Sequence, residues 1–183
     1  MKTLVLGGVR SGKSRHAEAL AQSAGGPITV IVTGTAGDEE MAARIAAHRA
    51  KRPAHWSVVE EPLRVASALS RAATGQSVII VDCLTLWLSN LLCHSDPRMY
   101  DAEVEALLAV LRGLPGTQLL VGNEVGSGIM PINDLARRFG DASGSLYQRL
   151  AAICDGVVLM VAGLPLVLKG GDDSQQVDAR NAR

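Results

Sequence analysis

The chain has 183 residues, of which 48% are hydrophobic, a composition typical of one domain with a packed core rather than of a disordered chain. Its 18 Lys and Arg residues balance 18 Asp and Glu residues, which argues against a nucleic-acid coat or a membrane-surface protein, because both need an excess of basic charge. Aromatic residues make up only 3%, so a base-stacking surface is disfavoured and we expect no nucleic-acid partner.

Short apolar runs alternate with helical patterns along the chain. Runs rich in β-branched residues predict strands, and apolar residues spaced by three or four predict helices. In chain order the predicted elements are a strand at 3–6, a helix at 13–24, a strand at 28–33, a helix at 38–51, a strand at 56–60, a helix at 63–73, a strand at 78–81, helices at 84–92 and 102–112, a strand at 118–121, helices at 132–139 and 144–154, and a strand at 157–161. This alternation implies βαβ units, so we predict an α/β fold with a mostly parallel sheet and helices on both faces.

The two ends of the chain bear on domain organisation and location. Residues 170–183 are polar and rich in Gly, Asp and Gln, so we predict a domain at 1–169 followed by a mobile tail. The apolar run at 3–6 is too short for a signal peptide, and no stretch of about 18 apolar residues predicts a membrane span. The three cysteines form no Cys-x-x-Cys pair and suit buried thiols in a reducing compartment. We therefore expect a soluble cytoplasmic protein.

The turn after the first predicted strand matches a phosphate-binding motif. The pattern G-x-x-x-x-G-K-[ST] is formed by Gly7, Gly8, Val9, Arg10, Ser11, Gly12, Lys13 and Ser14. Glycines let such a backbone curl until consecutive N–H groups face the phosphate oxygens at the helix N-terminus. We expect Lys13 to reach the β and γ phosphates and Ser14 to bind Mg²⁺.

A second feature of nucleotide sites follows the apolar strand at 78–81. This strand ends in Asp82, whose carboxylate should lie at the carboxyl edge of the sheet beside the phosphate loop. There it can hold Mg²⁺ or its water, although an Asp at this position can also cap the next helix. Together with the phosphate loop, this pattern predicts a P-loop NTPase-like sheet.

The predicted second helix contains a candidate nucleophile. His48 shares one helical face with Met41 and Ile45, a pattern that also suits a histidine at the edge of a core. The basic residues at 49–52 favour a site for a polyphosphate instead. With an ordinary pKa near ~6.5, a neutral imidazole is a competent nucleophile towards phosphorus. His16 and His55 are weaker candidates for a place in the site.

These residues together resemble the bifunctional adenosylcobinamide kinase / adenosylcobinamide-phosphate guanylyltransferase family of cobalamin biosynthesis. The resemblance covers residues 3–169 and joins the phosphate loop to the histidine helix and to the Asn-Glu-Val-Gly-Ser-Gly-Ile segment at 123–129. It implies a kinase step from ATP or GTP to the aminopropanol hydroxyl of adenosylcobinamide. It also implies that a histidine attacks the α-phosphate of GTP, releases pyrophosphate and passes GMP to adenosylcobinamide phosphate.

The resemblance further implies site residues and an assembly. His48 matches the histidine that carries GMP, and Lys13 serves the polyphosphate. Beyond the phosphate loop, the implied nucleotide contacts are Thr33, Gly34, Thr35, Arg49, Ala50, Lys51, Arg52, Glu60 and Asp82. The family forms trimers, which would suit an apolar helix such as that at 84–92.

One segment departs from the family pattern. Ser145 and Tyr147 stand where Arg and Asn are usual, and Gly140 stands where Arg is common. These departures concern contacts with the corrinoid or with a neighbouring subunit, and they leave the phosphate loop, His48 and Asp82 intact.

Two other functions share part of this pattern. A monofunctional P-loop kinase of another small alcohol would use Lys13, Ser14 and Asp82 but would not need His48. A GTP-dependent switch or scaffold usually carries an Asn-Lys-x-Asp guanine reader, whereas this chain has Asn123 followed by Glu124 and no Asn-Lys pair.

Overall fold

The order of elements is that of an alternating α/β chain. A computed structural model of the protein describes residues 1–35, 53–129 and 131–170, so that the predicted helix at 38–51 and the tail after Gly170 lie outside the described residues. The elements are β1 (Lys2–Gly7), α1 (Lys13–Ala24), β2 (Ile28–Val32), β3 (Ser57–Glu60), α2 (Val65–Ala72), β4 (Val78–Asp82), α3 (Leu84–Leu92), α4 (Arg98–Gly113), β5 (Thr117–Asn123), α5 (Asp134–Ile153), β6 (Gly156–Val161) and β7 (Leu164–Lys169).

The described strands form one sheet of seven in the order β3-β2-β4-β5-β1-β6-β7. In this order, the first six strands run parallel to one another, and the last strand, β7, pairs antiparallel with β6. The central strands are buried on both faces, which is why β4 is an unbroken apolar run until its last residue. The predicted α/β class with a mostly parallel sheet is therefore confirmed.

Alternate residues of the central strands face two separate apolar layers. Leu4 and Ile79 face the layer formed with helices α2, α3, α4 and α5. Val5 and Ile80 face the opposite layer, where α1 packs through small alanine side chains. Full burial of one such side chain contributes about 1.5–3 kcal/mol, so the two layers together fix the sheet and hence its edges.

Helix α3 is part of the core. Its Leu84, Trp87, Leu88 and Leu91 are only 0–1% exposed, and Trp87 Nε1 donates a hydrogen bond to the Leu63 carbonyl oxygen at 2.7 Å. The apolar side chains of this helix stabilise the single chain. Leu86 and Leu92 are only partly buried, and a subunit contact through this helix stays a prediction.

Helix α5 replaces two predicted helices, at 132–139 and 144–154, with one. Asn133 is its N-cap, and the Asn133 Oδ1 atom accepts a hydrogen bond from the Ala136 backbone N–H at 3.0 Å. The glycines that interrupted the sequence pattern cost about 1 kcal/mol each relative to Ala. The apolar residues on the buried face of α5 contribute more than this, so the helix continues through them.

Helix α4 begins at Arg98, ahead of the predicted start at residue 102. The backbone N–H of Arg98 donates to Asp96 Oδ1 at 3.0 Å, and the Arg98 side chain pairs with the same carboxylate. These bonds satisfy groups that the first turn of a helix otherwise leaves unpaired. The apolar spacing used for prediction carries no information about such hydrogen bonds, so the predicted start of the helix was four residues late.

Strand β7 was not predicted. The turn before it has Ala162 and Gly163 at φ 52° and 84°, the left-handed conformation of a tight hairpin. Ala-Gly is a weaker hairpin signal than Asn-Gly, so no strand was predicted after β6. In the described ranges, no helix is long and apolar enough to cross a bilayer.

The three cysteines differ in burial. Cys154 is 1% exposed, and burial raises the pKa of its thiol to about 11. Burial also raises the pKa of the partly buried Cys83, whereas Cys93 is exposed at the end of α3. The prediction of buried thiols is confirmed for Cys154 and wrong for Cys93.

Candidate active site

The carboxyl ends of the parallel strands bring the described candidate residues to one edge of the sheet. Gly7 pairs with Asn123, and Asp82 pairs with Val32, which in turn pairs with Glu60. Four strand spacings separate β1 from β3, so Gly7 and Glu60 lie about 19 Å apart along this edge. The phosphate loop and Glu60 therefore lie four strands apart on the same edge of the sheet.

Close packing shapes the phosphate loop between β1 and α1. A Cβ atom on Gly7 would lie 2.5 Å from the Met160 carbonyl oxygen and 2.6 Å from Ser11 Oγ, so only glycine fits there. Arg10 adopts φ 56°, and the Gly163 N–H donates to the Ser11 carbonyl oxygen at 3.0 Å. The Ser11 hydroxyl is buried with no hydrogen-bond partner among the described residues, which suits a loop that binds phosphate oxygens.

The side chains of Lys13 and Asp82 interact electrostatically beside the phosphate loop. Lys13 is only 8% exposed, and its Nζ donates to the Gly8 carbonyl oxygen at 2.8 Å. Burial lowers the pKa of Lys13, while the negative charges of Cys83 and Asp82 act in the opposite direction. The sequence prediction that strand β4 brings a carboxylate to the phosphate loop is consistent with this electrostatic contact.

Ser14 and Asp82 have the oxygen donors that Mg²⁺ prefers. Ser14 lies in the first turn of α1, and Asp82 is the last residue of β4. In the part of the chain that the structure describes, no group of three or more His, Cys, Asp or Glu side chains could hold a metal ion. A serine hydroxyl and one carboxylate fit an ion that shares its coordination with nucleotide phosphates and water.

Thr33 fixes the backbone that follows Asp82. Its side chain is fully buried, and Thr33 Oγ1 donates to the Cys83 carbonyl oxygen at 2.6 Å and accepts from the Cys83 N–H at 3.0 Å. The amide of Asn90 donates to the Thr33 carbonyl oxygen at 2.8 Å. Thr33 thus holds the backbone after strand β4 in place. The next two residues, the partly buried Gly34 and the exposed Thr35, follow along the same edge of the sheet.

Asp82 is not the N-cap residue of the next helix. Helix α3 has Cys83 as its N-cap residue, without a capping hydrogen bond from the side chain. The Asp82 carboxylate instead lies at the strand end, within electrostatic reach of Lys13.

Asn123 and Glu124 belong to the same edge, although sequence reasoning gave them no role. Strand β5 lies between β1 and β4, so its end separates the phosphate loop from Asp82. The Glu124 N–H donates to the Gly7 carbonyl oxygen at 3.0 Å, and the Asn123 N–H donates to Thr85 Oγ1 at 2.7 Å. The signal was a polar pair after an apolar strand, the same signal that identified Asp82.

Tyr147, one of the departures from the family pattern, lies under this edge. A Cβ atom on Gly122 would be 2.6 Å from the Tyr147 hydroxyl oxygen, so the ring fills the space beside strand β5. Burial raises the pKa of Tyr147 to about 12, and Thr85 weakly opposes this shift. The two hydroxyl groups do not reach hydrogen-bonding geometry, so the buried Tyr147 hydroxyl has no partner among the described residues.

The predicted guanylyl-transfer residues His48 and 49–52 lie outside the described residues. Of the weaker candidates, His16 is half-buried in α1, and burial lowers its pKa. His55 is exposed, with its ring 6.5 Å from that of Trp56. His16 contacts the phosphate loop through its backbone, since its N–H donates to the Gly12 carbonyl oxygen at 2.9 Å.

Sheet, phosphate loop and strand-end carboxylate together define a nucleotide-binding protein of the P-loop class. The fold is similar to "a prototypical ATPase from the type III secretion system of pathogenic bacteria", with a TM-score of 0.52, 13% identity, and coverage of 86% of this chain and 50% of that one. At this identity the similarity concerns the fold alone, and it confirms the predicted P-loop NTPase-like architecture.

The sequence model of the family described as cobinamide kinase / cobinamide phosphate guanyltransferase matches residues 3–168, and the chain belongs to this family. It is 52% identical over 170 residues to the bifunctional adenosylcobalamin biosynthesis protein CobP of Pseudomonas aeruginosa, covering 93% of this chain and 98% of that protein. It is 41% identical over 182 residues to the bifunctional adenosylcobalamin biosynthesis protein CobU of Salmonella typhimurium, covering 92% and 100%. The family resemblance and the expected pair of transferase activities are therefore confirmed.

Proposed function

We propose that this enzyme uses one elongated nucleotide site for two successive attacks on phosphorus. It phosphorylates the aminopropanol hydroxyl of adenosylcobinamide with ATP or GTP, and then transfers GMP from GTP through His48 to give adenosyl-GDP-cobinamide. The observation that carries the proposal is the family match over residues 3–168, in which an intact phosphate loop lies at the sheet edge beside Asp82.

In the kinase step the acceptor hydroxyl oxygen attacks the γ-phosphorus, the bond to the β–γ bridging oxygen breaks, and a nucleoside diphosphate leaves. The hydroxyl proton is released as the new ester forms. Loop N–H groups and Lys13 hold the β and γ phosphates, since positioning and charge neutralisation dominate this chemistry. Ser14 and Asp82 would hold Mg²⁺, which neutralises charge on the phosphates when bound.

In the second step a neutral imidazole nitrogen of His48 attacks the α-phosphorus of GTP, and pyrophosphate leaves. A phosphate oxygen of adenosylcobinamide phosphate then attacks the same phosphorus and releases the histidine. The covalent route divides one difficult transfer into two. Arg49, Lys51 and Arg52 would stabilise the charge of the leaving pyrophosphate, and Ala50 contributes only its backbone.

The other end of the site suits the nucleoside. An extended nucleoside triphosphate has a length comparable to the separation of about 19 Å between Gly7 and Glu60. Guanine carries a ring N–H and an amino group that can both donate to one carboxylate, which supports Glu60 as the residue that reads the base. Thr33, Gly34 and Thr35 lie along the path between the two ends.

We also propose that the protein acts in the cytoplasm as a homotrimer. The outer strand β7 offers a surface for subunit contact, since Leu164, Leu166, Val167 and Leu168 are 47–58% exposed. Apolar surface of this kind on an edge strand is typical of protein contacts.

Labelling with GTP that carries a radioactive α-phosphate tests the covalent route. The wild-type protein should retain acid-labile label, His48→Ala should lose it while keeping most of its kinase activity, and the control His55→Ala should behave as wild type. Because the attacking imidazole must be neutral, labelling should weaken below about pH 6. Label that persists in His48→Ala, or a flat profile below that pH, would contradict the assignment.

A further inference from the structure

We infer that an apolar cleft beside the phosphate loop binds the corrin ring of the acceptor, an inference that rests on the proposed function. The cleft has a volume of about 570 Å³ and lies between the β5–α5 connection and helices α3 and α5. Its apolar walls include Leu92, Val125, Ile129, Leu135 and Phe139. We call it the acceptor cleft.

The acceptor cleft opens next to the phosphate loop. Val125 lines it, and the preceding residue, Glu124, donates its N–H to the Gly7 carbonyl oxygen at 3.0 Å. One residue spans at most about 3.6 Å, so the Val125 backbone lies within about 7 Å of the loop. A ring seated in the cleft can therefore present a hydroxyl on a flexible arm to a phosphate held by the loop.

The charges of the lining distinguish between possible ligands. Among the described lining residues there is no Lys, Arg or His side chain, and Asp141 is an acid, so a phosphate or a second nucleotide is disfavoured. A corrin ring has methyl-bearing faces and neutral amide side chains on its rim. Apolar walls suit those faces, and Asn133, exposed at the start of α5, supplies an amide that can bind the rim.

The exposed apolar surface of the cleft walls also favours a large ligand. Ile129 is 97% exposed and Leu135 is 46% exposed, so a substantial apolar area meets water beside a catalytic edge. Aminopropanol alone is far too small to cover it. Gly140 also lines the cleft, which places one departure from the family pattern in the acceptor region.

A variant that fills the cleft tests the inference. Ala136 lines it, whereas Arg138 is exposed on the same helix and does not, so Ala136→Trp and Arg138→Trp add similar bulk inside and outside. With ATP as donor, Ala136→Trp should raise the KM for adenosylcobinamide about tenfold or more and leave the KM for ATP within about twofold. Arg138→Trp should match wild type in both constants.

Other measurements distinguish failure of the cleft inference from failure of the covalent route. If Ala136→Trp does not fold, Leu135→Asn at the rim should still weaken acceptor binding about threefold. Equilibrium dialysis of cobinamide without nucleotide tests the cleft even if no labelling of His48 occurs, so the failure of the covalent route is a distinct result. An unchanged acceptor KM and unchanged cobinamide binding in a folded cleft variant would overturn the inference. A change in mass by light scattering, with acceptor binding unaltered, would overturn it in favour of a subunit contact.

Discussion

The phosphate loop and the acceptor cleft are neighbours that are built in opposite ways. In the loop, Gly7 has no room for a Cβ atom and Lys13 is 8% exposed, so close packing fixes the positions of both residues. In the cleft, the lining residues Ile129 and Leu135 are 97% and 46% exposed. A phosphate is recognised by backbone N–H groups in fixed geometry, whereas a large apolar ring is recognised through the apolar surface area that it covers. The first kind of recognition leaves a motif in the sequence and the second does not.

The largest expected effect tests the constrained side of this comparison. Lys13→Ala should lower kcat of the kinase step about 10²–10³-fold, equivalent to about 3–4 kcal/mol, because the buried ammonium faces charge that develops on the phosphates. Steady-state kinetics with saturating adenosylcobinamide would measure it. Arg71→Ala, at an exposed position on α2, is the control and should have ordinary activity. Comparable losses in both variants would contradict this role for Lys13.

A smaller effect concerns the packing that supports both regions. Gly122→Ala would bring a Cβ atom within 2.6 Å of the Tyr147 hydroxyl oxygen and 2.9 Å of its ring, so it should lower the free energy of unfolding by about 1–3 kcal/mol. Urea denaturation would measure this loss, and Tyr147→Leu in the same chain should recover part of it. Gly144→Ala is the matched control, since a Cβ atom there meets nothing within 4 Å. Equal destabilisation by both alanines would show that the ring contact is unimportant.

The last effect appears only at high pH and is absent near neutral pH. The pKa of Tyr147 is raised by burial to about 12 in the folded state, against an unfolded value near 10. The protonated phenol is therefore favoured by folding, and its contribution is complete below about pH 10 and is lost as the pH rises towards 12. Between these values wild type should lose roughly 1–3 kcal/mol more stability than Tyr147→Phe, as measured by urea denaturation at each pH. Parallel profiles for the two proteins would contradict the assignment.

Much of the fold was predictable because its signals are local. Apolar runs identified β1 to β6, and the context of the glycines and Lys13 identified the phosphate loop. The continuity of α5 was not predictable, since burial outweighed the helix-breaking tendency of its glycines, and β7 depends on a turn with a weak signal. At the site, Asp82 was found as a polar residue at the end of an apolar strand, but Glu124, with the same signal, was not recognised. The acceptor cleft escaped prediction because its walls come from three separate segments.

The hydrogen bonds of Thr33 bear on when enzymatic activity appears during folding. They join the end of β2 to Cys83 after β4 and to Asn90 in α3, positions some 50 residues apart in the chain. Since this junction sets the direction of the backbone at Asp82, the Asp82 carboxylate takes its place only when the central strands have assembled. During refolding, enzymatic turnover should consequently return together with the native sheet, and a partly folded chain that already has its first helix and loop would still be catalytically silent.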